Sequence, residues 1–461
     1  SGYERAALRK WVQSPYHNGR EDVERFFEYL QAQTKLGERG DWRRESAYAY
    51  VYGQAAFDEA KMRYLQTFFQ QVVEDFLVQK ALEDDERLRE ALLVRAYRQR
   101  GLHQHLDYAH QRARERLERQ QRRDAAYWRA EYELEDVAHY LQQALGREKS
   151  RSLQPLGDAL DLQYCSERLR LACIMQAQQS VTKTQHEQPL LQAVLNLVES
   201  RAEWREMAAV GLYYHYYRAI TDKTEASRGH FAEFKRLLLA ATHEFEPVEM
   251  RNLYVLAINY GIRRINAELS YLRETFELYL AGWEHGFLLE NGKLSRFTFK
   301  NIVTLGLHLK EFDWVRSFID EQNHLLSSEY QQTYTHYCLS KWLFVKKQYD
   351  EALQRLQQVE YEDIFLNLDA KVMQLKIYYE TDEHELLESF LATFRVFLGR
   401  KKKVLAYHVE NYKNVLRFVH RLLRVNPYSR ADCERLREKI QAVRVLTERE
   451  WLLQQLDGLR K

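Results

Sequence analysis

The stretch "KQYDEALQRL", residues 347–356, decides how this chain is read. An aromatic ring, Tyr349, stands beside Asp350 and Glu351, and acids at this point favour the positive end of a starting helix. Ala352 and Leu356 then open an apolar stripe four residues apart. Working upstream, "KEFDWVRSFI" (310–319) superimposes on it as aromatic–Asp–x–apolar. Downstream, "DEHELLESFL" (382–391) keeps the apolar beat and loses the aromatic. Val315, Ala352 and Leu387 fall at equivalent positions, 37 and then 35 residues apart. A second helical segment precedes each unit: "FKNIVTLGLHL", "YTHYCLSKWLF" and "KVMQLKIYYE". Paired helices recurring at this period are the signature of a helical repeat.

The composition agrees with that pattern over the whole chain. Among 461 residues there are only 5 prolines and 17 glycines, so little interrupts a helix. Convincing period-two alternation between turn clusters is missing, and the fold class expected is all-α. The length suits two to four compact domains or one repeat array. "GREKSRSLQPLGD" (146–158) collects Gly, Ser and Pro and reads as a linker, as does "HGFLLENGKLS" (285–295). They divide the chain into an N-terminal region with long charged helices (1–148), a middle region of helical hairpins (149–297) and the repeat-bearing region with a basic terminal helix pair (298–461).

The aromatic–Asp–x–Ala turn at Tyr349, Asp350, Glu351 and Ala352 resembles the entry to the second helix of a tetratricopeptide repeat. It recurs upstream as Phe57, Asp58, Glu59 and Ala60. The family's Trp-x2-Leu-Gly start of the first helix is degenerate here: Phe299, Ile302 and Val303 occupy those places in one repeat, and His336, Leu339 and Ser340 in the next. Clear repeat character covers 298–398. The N-terminal stretch "WVQSPYHNGREDVERFFEYL" resembles bacterial helical-repeat proteins to which no function attaches. What the tetratricopeptide resemblance implies is an elongated superhelical array of antiparallel helix hairpins, an α-solenoid, binding a partner segment on its concave side. First-helix side chains then line the groove: Asn301, His308, Lys341, Lys346 and Lys376.

The four cysteines, Cys165, Cys173, Cys338 and Cys433, show no CxxC pairing and are expected to be buried, reduced thiols. That suits a reducing cytosol, and a cytoplasmic location is expected. The chain lacks a secretory signal and any run of 18 apolar residues, so membrane insertion is not expected. It opens Ser1-Gly2 without a methionine, which leaves room for a leader removed from the native chain.

Few stretches look like chemistry. "GLYYHYYRAI" (211–220) sets four tyrosines around His215. On a helix, Tyr213, Tyr216, Tyr217 and Ile220 share one face, with Tyr214 and His215 off it. The same aromatic habit recurs in "SAYAYVYGQAAF" and "KIYYE", so the rings are read as packing. "GLHQHLDYAH" offers His103, Asp107 and His110 on one face, yet positions seven apart are ~10 Å distant along a helix, too far for one ion. Asp136 with His139 and Glu321 with His324 are half of a two-metal motif without the other half. GxxxxGK[ST], GxGxxG, GxSxG and HExxH do not occur. No cofactor or metal is expected, and the chain is read as non-enzymatic, with a metal hydrolase around His103 and Asp107 the weakest of the functions considered.

Net charge is only +2, but charge is segregated locally. From Arg395 to Arg424 nine Lys/Arg face one acid, Glu410. Lys401, Lys402 and Lys403 run together, and Lys413, Arg417, Arg421 and Arg424 form a stripe at helical spacing with Leu416, Val419 and Leu423 opposite. Residues 361–392 hold eight acids and two lysines, so the two hairpins either neutralise each other or leave a basic lip. "RARERLERQQRR" (112–123) reads as self-paired through Glu115 with Arg119 and Glu118 with Arg122. The function expected is a protein-interaction scaffold for an acidic protein or peptide segment. Nucleic-acid binding through the basic stripe is the alternative.

Overall fold

The structure is a computed structural model that describes residues 2–53, 55–144, 152–182, 184–265, 268–358, 363–401 and 408–459. Lys402 and Lys403 of the basic run lie outside these residues, as do 146–151 of the first linker. Among the described residues the chain forms 23 α-helices packed in neighbouring pairs and one two-stranded sheet. None of these helices is long and apolar enough to cross a membrane.

Two compact units are present: residues 1–171 with 189–194, and residues 172–188 with 195–461. The helices that begin in the first unit are α1 (Gly2–Val12), α2 (Glu21–Leu36), α3 (Arg44–Tyr52), α4 (Glu59–Asp84), α5 (Glu86–Gln99), α6 (His103–Arg119), α7 (Ala125–Ala144), α8 (Gln154–Val181) and α9 (Leu191–Ser200). Val12, Val23, Leu65 and Met62 centre one of its cores, where α1, α2 and α4 meet. Leu106, Val137 and Leu141 form a second, smaller core with Val94 and Tyr97.

The second unit continues with α10 (Ala202–Glu206), α11 (Ala208–Thr221), α12 (Ala226–Ala240), α13 (Pro247–Ile265) and α14 (Tyr271–Glu284). The segment 285–295, expected to be a linker, is a tight β-hairpin of β1 (Leu289–Glu290) and β2 (Lys293–Leu294). Asn291 and Gly292 both take positive φ, as the two-residue turn of such a hairpin requires. Leu288 and Leu294 are buried and anchor it.

Beyond the hairpin the helices are α15 (Arg296–His308), α16 (Phe312–Gln322), α17 (Ser328–Val345), α18 (Tyr349–Gln357), α19 (Ile364–Glu380), α20 (His384–Arg400), α21 (His408–Leu422), α22 (Arg430–Ala442) and α23 (Arg449–Gly458). Three successive hairpins, α15–α16, α17–α18 and α19–α20, are closed by the same turn. Lys310, Lys347 and Asp382 sit in the left-handed region at φ 63°, 60° and 58°, again 37 and 35 residues apart. In each, the next residue's N–H reaches back five residues in a Schellman closure. The bonds are Glu311 N to Gly306 O (2.9 Å), Gln348 N to Leu343 O (2.9 Å) and Glu383 N to Tyr378 O (3.0 Å). Val315, Ala352 and Leu387, the equivalent positions read from the sequence, are all completely buried.

The upstream match behaves differently. Asp58 caps α4 by accepting from Lys61 N at 3.0 Å, but Ala60 is exposed where Ala352 is buried. Phe57-Asp58-Glu59-Ala60 is therefore a helix cap without the packing that defines the repeat. All four cysteines are buried and unpaired.

Candidate functional site

In the repeat hairpins the first helices α15, α17 and α19 lie side by side, which turns their shared face into one surface. On that surface is a cleft of about 560 Å³. His308 of α15, Lys341 of α17 and Lys376 of α19 all line it, so three of the expected groove residues converge from three successive hairpins. Aromatic walls come from Phe312, Tyr337, Phe344 and Tyr412.

One side is closed by the chain's own C-terminal segment, which the sequence reading did not include. Thr447, Glu448, Glu450 and Trp451 line the cleft from the start of α23. Two buried asparagines of α21 hold this segment in place. Asn411 donates to Thr447 Oγ1 (3.0 Å) and accepts from Thr447 N (2.8 Å), and Asn414 donates to Val445 O (2.9 Å). Their carboxamides satisfy backbone and side-chain groups that would otherwise be buried without partners. Trp451 Nε1 donates to Glu380 Oε1 at 2.6 Å and so fixes the indole against α19.

The cations in the cleft are not equivalent. Lys376 is ion-paired with Glu448 and lies over the rings of Trp451 (5.4 Å) and Phe344 (5.7 Å). Asp369 on the wall pairs with Lys300 at 2.9 Å. Lys341 differs: its Nζ donates to the neutral Thr304 hydroxyl at 2.9 Å, and among the described residues no carboxylate forms an ion pair with it. Burial lowers its pKa, partly offset by the negative charge of Asp369. His308 keeps much of its surface in water at the mouth, while the surrounding walls and then the Lys341 charge lower its pKa. The cleft thus offers a poorly solvated ammonium beside aromatic faces. That suits a carboxylate carried on a segment with an apolar neighbour.

The remaining expected residues lie elsewhere. Asn301 donates to Tyr279 OH at 2.9 Å. Lys346, at the α17–α18 turn, covers the rings of Phe312 (5.0 Å) and Trp342 (6.0 Å). Lys413, Arg417 and Arg421 are exposed on the side of α21 that meets α20, where they and Arg395 border a separate groove of about 420 Å³. Tyr412, one residue before Lys413, points instead into the 560 Å³ cleft. The stripe and the cleft are therefore two surfaces.

Nor does the acidic hairpin neutralise the stripe. Among the described residues one ion pair joins them, Arg424 with Glu388 at 4.0 Å. Three of the other acids have different partners: Asp363 pairs with Arg296 and Asp369 with Lys300, while Glu380 accepts from Trp451 and Tyr349.

The other sequence candidates resolve as structure. Helix α11 is buried all round from Ala208 to Tyr216, so Tyr214 and His215 join the core that was expected to hold only one face. His215 Nδ1 lies 3.0 Å from His230 Nδ1, so one ring donates and the other accepts. Burial, then the neighbouring His230, lowers the His215 pKa to about 4. His103 Nε2 meets Tyr140 OH (3.3 Å) and His110 Nε2 meets Leu134 O (3.1 Å), which ties both imidazoles to α7. Among the described residues no three His, Cys, Asp or Glu side chains cluster as metal ligands would. In the 112–123 stretch Glu115 does pair with Arg119 (3.4 Å), but Arg114 and Arg116 bind acids of α7 and α5. Three antiparallel helices bring those acids closer than a self-paired face would.

No known protein family, curated protein or solved structure matches this chain.

Proposed function

We propose that the second unit is a tetratricopeptide-like α-solenoid scaffold, non-enzymatic and cytoplasmic, that binds an acidic segment of a partner protein in the α15–α17–α19 cleft. The observation that carries this reading is Lys341: a poorly solvated ammonium that has no carboxylate partner among the described residues, set among aromatic walls where three hairpins converge. The recurring left-handed turn and the 37- and 35-residue spacing support the repeat character. On this reading the Glu448–Trp451 segment marks the kind of chemistry the cleft accepts, an acid beside a ring.

The test is selection of a random peptide library on the full chain, followed by affinity measurement. Enriched peptides should carry Asp or Glu beside an aromatic residue. Lys341→Met, which keeps the stem and removes the charge, should weaken them about tenfold or more, since a charge-assisted bond is worth roughly 1.5–3 kcal/mol. Equal binding by a helical, folded Lys341→Met protein would refute the assignment.

A second reading rests on the other surface. Arg395, Lys413, Arg417 and Arg421 form a carboxylate-poor groove suited to a phosphate backbone. If four phosphates are engaged, nucleic-acid affinity should fall roughly 10²-fold between 50 and 200 mM salt. Lys413→Glu with Arg417→Glu should abolish that binding and leave peptide binding in the cleft intact.

A further inference from the structure

Helices α5, α6 and α7 of the first unit enclose a cleft of about 390 Å³ that the scaffold reading does not use. The helix α6 packs against both of the others. Val94 and Tyr97 of α5 approach Val137 and Tyr140 of α7 around Leu106, which closes one end. From there the cleft runs toward the start of α5 and the end of α6, where Arg87 and Gln120 line it. Each helix presents one face to it at i, i+3/i+4, i+7 spacing: Ala91 and Val94 on α5, Ala113 and Leu117 on α6, Leu134 and Val137 on α7. The floor and walls are therefore apolar.

The polar groups around this apolar cleft are unevenly satisfied. Arg98 pairs with Asp136 (2.6 Å), Arg116 with Glu90 (3.0 Å), and Glu133 with Arg129 (3.5 Å), so the acids of the rim are each matched. Arg87 and Arg95, two turns apart on the α5 face that lines the cleft, have no ion-pair partner among the described residues. Gln120, just beyond the end of α6, has its Nε2 shut off from water without a hydrogen-bond acceptor among the described residues. A buried amide donor left unmade is costly, and the missing group is an acceptor. The start of α5 meets the end of α6 through Arg116 and Glu86, so the spare Arg87 guanidinium shares the Gln120 end of the cleft and favours an anionic acceptor there.

We propose that this cleft binds a free alkyl carboxylate, its chain on the apolar faces of α5, α6 and α7 and its head between Gln120 and the Arg87 guanidinium, with Arg95 adding positive charge two turns along the same helix face. Size decides against a peptide helix. The lining on the α6 side runs only from Ala113 to Gln120, about two turns or ~10 Å, too short a track to hold a peptide helix of three or more turns. A single alkyl chain needs far less width, and pockets of this volume with a few convergent polar groups are characteristic of small ligands.

The experiment is isothermal titration of the full chain with n-alkyl carboxylates from hexanoate to hexadecanoate. Each added methylene should tighten binding about 4-fold until the cleft is full, after which the gain stops. The alcohol of the same length should bind at least tenfold more weakly, and so should the carboxylate to the Arg87→Gln, Arg95→Gln double variant, both residues being exposed and dispensable for the core. Ala91→Trp, at an exposed position facing the cleft, should block binding while circular dichroism stays unchanged. Absence of binding at every chain length would overturn the proposal. Equal affinity for acid and alcohol, or for wild type and the double arginine variant, would do so too.

Discussion

Replacing Lys310, Lys347 and Asp382 by glycine should stabilise the second unit, although each change deletes a side chain. The three residues hold φ near +60°, where a Cβ crowds the following carbonyl at a cost of roughly 1–2 kcal/mol. Glycine removes that cost but adds about 0.5–1 kcal/mol of backbone entropy to the unfolded chain. The net gain is about 0.5–1 kcal/mol per turn, smallest at Asp382 because Asp tolerates this region. All three side chains are exposed, and among the described residues the only ion pair any of them makes is the 3.9 Å approach of Asp382 to His384. The turns belong to separate hairpins with no shared partner, so the effects should add to about 2 kcal/mol. Urea unfolding of the single and triple variants measures it, with the midpoint rising and the slope unchanged. Lys347→Val provides the opposite arm, since a β-branched residue in this region is worse than lysine. A triple variant no more stable than wild type would show that these turns are not strained and that the repeat closure needs another account.

Gly261→Ala should cost about 2 kcal/mol of overpacking, because its Cβ would stand 2.1 Å from Thr275 Oγ1. That hydroxyl is buried and bonded to Tyr271 O at 2.6 Å; urea unfolding of Gly261→Ala with and without Thr275→Ala should show partial rescue. Tyr213→Ala should cost about 3 kcal/mol, since the ring is buried and its hydroxyl donates to Glu249 Oε1 at 2.6 Å; an unchanged melting temperature would place the tyrosine outside the core. Acid should weaken the second unit through His215. Its folded pKa of about 4 lies below the unfolded value, so the unfolded chain binds the extra proton between about pH 6.5 and 4. Stability from this source is complete above pH 6.5 and is lost as pH falls toward 4, by up to about 3 kcal/mol. Glu233, Glu206 and Arg205 also face the ring, so the control is His215→Leu, whose pH slope over that window should be shallower.

How much of this was readable beforehand differs by element. The equivalence of Val315, Ala352 and Leu387 was visible because each is the fourth residue of a second helix, two past an acid in its first turn, and burial of that position is a local consequence of pairing. The hairpin at 289–294 was not read. Asn291-Gly292 is a strong turn signal, but only two residues pair on each side, too few to register as alternation. His308, Lys341 and Lys376 could be placed together because they share the face of first helices. Trp451 and Glu448 could not, since they reach the cleft from about seventy residues beyond Glu380 through asparagines that look like ordinary helix residues in the sequence. Likewise, spacing alone puts Lys413 and Arg417 on one stripe but does not say that Tyr412 turns the other way.

The unpaired cysteines give the molecule four internal gauges of its own breathing. Burial raises the thiol pKa of Cys165 to about 11 and that of Cys338 to about 12, and lifts Cys173 as well, so almost no thiolate exists at neutral pH. A water-borne disulfide reagent can react only when the surrounding helices part. Cys165 belongs to the first unit, whereas Cys173, Cys338 and Cys433 sit at three well-separated positions along the second. Retaining one cysteine at a time and timing its modification under native conditions would therefore report a separate opening free energy for each location. Four equal values would mean the chain opens as one cooperative body. A graded series would locate the hairpin that yields first.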